Sequence, residues 1–148
     1  MRGLFFLWEE RMDYEYVENG PFGDVRTASC ASTPLCTLVR LSKAGGEAVR
    51  ASLLRNSSFP WADELAQHEL ENSSATWVIR QAIAGSVRVS EVTLRRVASG
   101  GEWFVMIALA NNPRCPKDIL EVCAADQRVS FKEITAIARS RLLSGLAL

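Results

Sequence analysis

A chain of 148 residues with 48% hydrophobic and 23% charged residues has room for one domain with a real core and is short for two. Lysine plus arginine and aspartate plus glutamate number 17 each, and zero net charge argues against the strong basic field of a dedicated nucleic-acid binder. No stretch approaches the roughly 18 apolar residues of a membrane span, so a membrane is not among the expected partners.

The N-terminal run Leu4-Phe5-Phe6-Leu7-Trp8 is followed at once by Glu9, Glu10 and Arg11. It is too short for a secretory signal and lacks a small-residue cleavage site, which makes the cytoplasm the expected location. With Met12 these residues form one apolar helical face, so residues 1–24 read as a capping or docking segment. Tyr14-Glu15-Tyr16-Val17 alternates as a short strand does, and Asn19 to Gly23 reads as a turn or linker.

From there a pattern recurs. Phe104 to Asn112 is a helix-like apolar run that ends in Asn-Asn-Pro, and Pro116 then opens a second segment, Lys117 to Ala125. Proline cannot continue a helix but suits its first turn, so this stretch predicts helix, tight corner, helix. Ala48 to Asn56 leads in the same way to Pro60, and Val78 to Ser86 leads to Ser90, where a capping serine replaces proline. An earlier copy runs from Val25-Arg26 to Thr33-Pro34, and a truncated last copy spans Glu133 to Ser140.

The columns repeat as well. Leu53, Ile83, Leu109 and Ile137 each stand beside small residues in the first helix of a unit. Leu38, Leu65, Leu94 and Leu120 match in the second helix, followed three residues later by Leu41, His68, Val97 and Cys123. An apolar pair at i, i+3 is what a short helix packed on its neighbours requires. The fold expected is all-α, an α-solenoid of about four degenerate repeats of roughly 24–30 residues. It would cover residues 25–141, leaving 142–148 as an apolar tail.

With these columns in place the chain resembles the leucine-rich repeat variant family. The unit of that family is Val-Arg, an alanine-rich helix, Asn-Pro, two residues, Pro, and a short leucine-bearing helix. The resemblance is best in Val49–Asn56, in Ala108–Pro116, and from Thr33-Pro34 to Val49-Arg50; the Ser86–Ser90 corner departs from it. It implies a right-handed superhelix, HEAT-like in character, with no single activity attached. Some members carry an N-terminal iron–sulfur segment; residues 1–24 contain no cysteine, so no cofactor is expected here.

Candidate chemistry is sparse. His68 is the single histidine, near Glu64, Glu69 and Glu71, and a carboxylate–histidine pair can do acid–base work. Its column, however, predicts that it faces the core. No nucleophile-elbow, phosphate-loop or HExxH motif occurs, and no enzyme is expected. Cys30, Cys36, Cys115 and Cys123 lack zinc or thioredoxin spacing and read as packing residues.

Trp77 and Trp103 stand at the same point of successive units, with Phe131 in the last, and read as packing devices. Trp61 has no aromatic counterpart and is the better candidate for an exposed anchor. Arg50 and Arg80 recur after the Val/Ile position, with Arg26 a third member. Such a ladder either receives carboxylates or phosphates bidentately or pairs with acids of the adjoining unit. Residues 1–75 carry 7 basic and 11 acidic groups and residues 76–148 carry 10 and 6, a bias to which Arg95 and Arg96 contribute.

The expected function is a non-enzymatic interaction module that binds a protein or peptide on a solenoid surface. DNA binding through the basic later units is the alternative. The apolar ends predict a homodimer.

Overall fold

The computed structural model describes residues 21–71 and 75–146. Among them are nine α-helices and no strand. They are α1 (Pro21–Ser29), α2 (Leu35–Ala44), α3 (Glu47–Arg55), α4 (Ala62–Glu71), α5 (Trp77–Ala84), α6 (Glu91–Ala98), α7 (Trp103–Asn111), α8 (Lys117–Ala125) and α9 (Lys132–Leu146). A single 3₁₀ turn, Val129–Phe131, precedes α9.

The boundaries follow local chemistry. Pro34 and Pro116 sit in extended geometry immediately before α2 and α8, where a missing N–H costs nothing because no helical acceptor awaits it. Thr76 and Ser90 cap α5 and α6 by accepting bonds from the backbone N–H groups of Ile79 and Thr93. Asn56 and Asn112 turn extended and end α3 and α7. Two corners depend on glycine. A Cβ on Gly45 would collide with Val49 Cγ1 and the Leu41 carbonyl, so the corner between α2 and α3 needs glycine, and Gly101 takes φ 63° between α6 and α7.

Helices of odd number pack one on the next, α1 on α3, α3 on α5, α5 on α7 and α7 on α9. Each helix of even number packs against the odd-numbered ones flanking it in sequence, and α4 also touches α6. The core lies between these two rows. Leu38, Leu53, Leu54, Phe59, Ile79, Ile83, Leu94, Val105, Leu109 and Ile134 are fully buried in it. Each contributes about 1.5–3 kcal/mol of apolar burial.

Several expectations need correction. His68 is exposed, and α4 turns Leu65, Ala66 and Glu69 inward instead. The buried face advances by four residues rather than three because Arg50 supplies a counter-charge for Glu69. In α9 the buried positions are Ile134, Thr135 and Ala138, with Ile137 half-buried. The 3₁₀ turn ahead of α9 shifts its phase by one residue relative to α7.

Pro21 to Gly23 belong to α1 rather than to a turn, proline being suited to a helical first turn. Residues 142–146 continue α9. The expected N-terminal cap, its apolar face Leu4–Trp8 and the strand Tyr14–Val17 lie outside the described residues. Among the described residues no helix is long and apolar enough to cross a membrane.

Candidate functional site

At one edge of the molecule the amino ends of α5 and α7 bring two tryptophans to the surface. Trp77 follows the capping Thr76, and Trp103 follows Glu102, the residue before α7. A first-turn side chain projects beyond the body of its helix, which leaves these indoles 55% and 44% exposed.

They are nevertheless held in place. The Trp77 ring meets Phe104 edge-on, with centroids 5.7 Å apart and planes at 67°. Trp103 Nε1 donates to the carbonyl of Ser130 at 2.9 Å, and the neighbouring Val129 is 89% exposed. Trp77, Phe104, Trp103 and Val129 thus form an apolar edge that crosses from α5 to the 3₁₀ turn. Anchored indoles carry large contact area with little freedom left to lose on binding.

The polar groups along this edge are internally neutralised. Arg80 lies over Phe104 at 5.7 Å, pairs with Glu102 at 2.7 Å and donates to the carbonyl of Ala75. Arg128 stacks on Phe131 at 3.7 Å and pairs with Asp126 at 2.6 Å. The hydrogen bonds from Arg128 hold the Asp126 carboxyl below the usual carboxylate range, and the same pairing raises the guanidinium.

The structure does not bring the arginines together as a free ladder. Arg50 pairs with Glu69 at 2.5 Å and donates to the carbonyl of Gly45. Arg80 reaches the carbonyl five residues behind it in the same way, and its acid is Glu102. Arg95 bridges Asp118 at 3.1 Å and Glu91 at 3.4 Å. Its hydrogen bonds depress the Asp118 carboxyl. Arg96 is exposed. Trp61 is half-buried on the core, edge-on to Phe59 with centroids 6.3 Å apart.

The cysteines divide into two pairs. Cys115 and Cys123 are buried, and Cys30 and Cys36 are exposed, so the packing reading holds for two of the four. Burial pushes the Cys115 thiol up to about 12, with a smaller contribution from Cys123. The hydrogen bond with Ser32 lowers that of Cys30. Among the described residues no three His, Cys, Asp or Glu side chains gather as metal ligands.

Phe104 and Val129 escaped the sequence reading, since neither stands in a column with a second aromatic or an exposed apolar residue. A further set of residues was visible only as helix stops. Asn56 Nδ2 donates to the carbonyls of Ala28 and Cys30, at 2.7 and 3.0 Å. Asn112 Nδ2 does the same to Ala84 and Ser86, at 2.8 and 2.9 Å.

No family model, curated protein or solved structure matches the chain.

Proposed function

We propose that this chain is a non-enzymatic interaction module, a right-handed α-solenoid of about four degenerate repeats similar to the leucine-rich repeat variant family. The edge Trp77–Phe104–Trp103–Val129 takes an apolar segment of a protein or peptide partner. The observation that carries this reading is the pair of exposed, anchored indoles at equivalent helix ends. Tryptophan is enriched where few residues supply most of the binding energy, and among the described residues two of the six exposed large hydrophobic side chains are these indoles.

DNA binding needs cations free to meet phosphates. Of the candidate arginines, Arg50, Arg80 and Arg95 are each already paired with carboxylates, which weakens the ladder as a phosphate-binding surface.

Peptides selected from a display library against the whole chain provide the test. Trp77→Ala with Trp103→Ala is expected to weaken the selected peptides by about 2 kcal/mol per indole, roughly 30-fold each. Raising the salt should change the affinity little. Peptides that bind the double variant as well as the parent would sink the proposal. Binding of duplex DNA that falls steeply with salt and ignores both substitutions would replace it with the nucleic-acid reading.

A further inference from the structure

A cleft of about 290 Å³ lies away from the tryptophan edge, where the start of α8 meets the last turns of α9. It is lined by Cys115, Lys117, Leu120, Arg141, Leu142 and Gly145. That volume stands at the lower end of small-molecule sites, which begin near roughly 300 Å³. Its walls and its rim differ in chemistry.

The walls are apolar. Leu120 and Cys115 are buried and Leu142 packs against the core. Because the Cys115 thiol stays protonated at neutral pH, it belongs to that apolar lining.

The rim is cationic. Arg141 is anchored through Nη1 alone, which donates to the carbonyls of Ala110 and Asn112 at 2.8 and 2.6 Å. Among the described residues no carboxylate pairs with this guanidinium. Lys117 has Glu121 at 4.0 Å, with both side chains largely in solvent, a pairing too loose to neutralise it. The acid next in sequence, Asp118, is turned to Arg95 on α6. Lys117 also opens α8, whose amino end has no side-chain cap. The Asp118 carboxylate takes the first-turn N–H groups of Asp118 and Ile119, which leaves Lys117 and Arg141 as the cations of the rim.

We propose that this cleft binds a small amphiphilic carboxylate. The head is held by Arg141 and Lys117, and a short apolar tail lies along Leu120 and Leu142. Arg141 is well suited to the head because its position is set by two carbonyl contacts before any ligand arrives, which reduces the ordering cost of binding. Its Nε and Nη2 groups are the donors that remain for a carboxylate.

Octanoate is the probe, titrated into the whole chain and followed by amide chemical shifts. Saturable shifts confined to residues around Leu120 and Arg141 are expected, with octanol at least fivefold weaker. Gly145→Glu gives a clean perturbation, since a Cβ there meets nothing within 4 Å and the position lines the cleft. It should weaken octanoate at least fivefold, as should Lys117→Glu, while Gly145→Ala leaves it unchanged. Absence of saturable shifts, equal binding of octanol, shifts spread over the whole surface, or indifference to both charge substitutions would each overturn the proposal.

Discussion

Asn56 and Asn112 make the same pair of bonds at two separate corners of the molecule. Each amide group donates to two carbonyls at the end of the preceding odd-numbered helix, α1 for Asn56 and α5 for Asn112. Each carboxamide oxygen accepts from the backbone N–H two residues on, that of Ser58 or Arg114. One buried side chain therefore ends its own helix, shapes the corner after it and satisfies the last carbonyls of the neighbour. Arg141 serves the next corner by donating to Ala110 and Asn112.

Asn112→Ala should cost about 2–4 kcal/mol, because two buried carbonyls lose their donor. Asn112→Asp should cost more, since it removes the donor and adds a buried charge. Urea unfolding with an unchanged slope is the measurement.

Ser86 stands at the corresponding corner between α5 and α6. Among the described residues it makes no such bond to α3; its hydroxyl accepts from the Arg88 N–H, and Arg88 Nε reaches the Ser57 carbonyl. Ser86→Asn should complete the set by reaching the carbonyls of Leu54 and Asn56, with a gain of about 1 kcal/mol. A melting temperature no higher than the parent's would contradict the assigned register.

Arg50→Met removes the counter-charge of Glu69, which is 6% exposed. Breaking a fully buried pair costs about 3–5 kcal/mol; with Arg50 only partly buried, about 2 kcal/mol is expected here. Adding Glu69→Leu should recover most of the loss. A double variant as unstable as the single one would show that the charge is not the cause.

Thiol titration with an aromatic disulfide at pH 7 should find two reactive groups in the folded chain, Cys30 and Cys36. Cys30 should react first, because its lowered pKa raises the thiolate fraction. Cys115 and Cys123 should react only after unfolding. Four fast thiols would contradict the packing around α8.

Asp118 and Asp126 have carboxyls depressed by hydrogen bonds from Arg95 and Arg128. Their stabilisation is present above the ordinary carboxylate value of about 4 and is lost as the pH falls through the depressed folded values. Melting temperatures should therefore decline below that point, and less so in Arg95→Gln with Arg128→Gln. Asp118 is exposed and Asp126 half-buried, so high salt should shrink the Asp118 contribution more.

The helices were readable because their signals are local. Apolar periodicity in Lys117–Ala125, the unbroken apolar run of Trp103–Asn111, proline before α2 and α8, and serine or threonine before α5 and α6 act within one or two turns. The column Leu38, Leu65, Leu94 and Leu120 is buried throughout. The candidate site was less readable. Trp77 and Trp103 were matched by position but read as packing residues, and their exposure depends on which corner packs beside each helix end.

What the sequence by itself determined is an all-helical chain, its corners and most of its buried column, because hydrophobic period and backbone restriction need no knowledge of neighbours. Only the tertiary structure decided which of His68 and Glu69 turns inward, since the choice depends on Arg50, 19 residues earlier in the chain. It also decided that Asn56 and Asn112 stitch one helix to another. A side-chain amide can serve its own turn or a distant carbonyl equally well, and only the packing of α3 on α1 and of α7 on α5 brings the distant ones within reach.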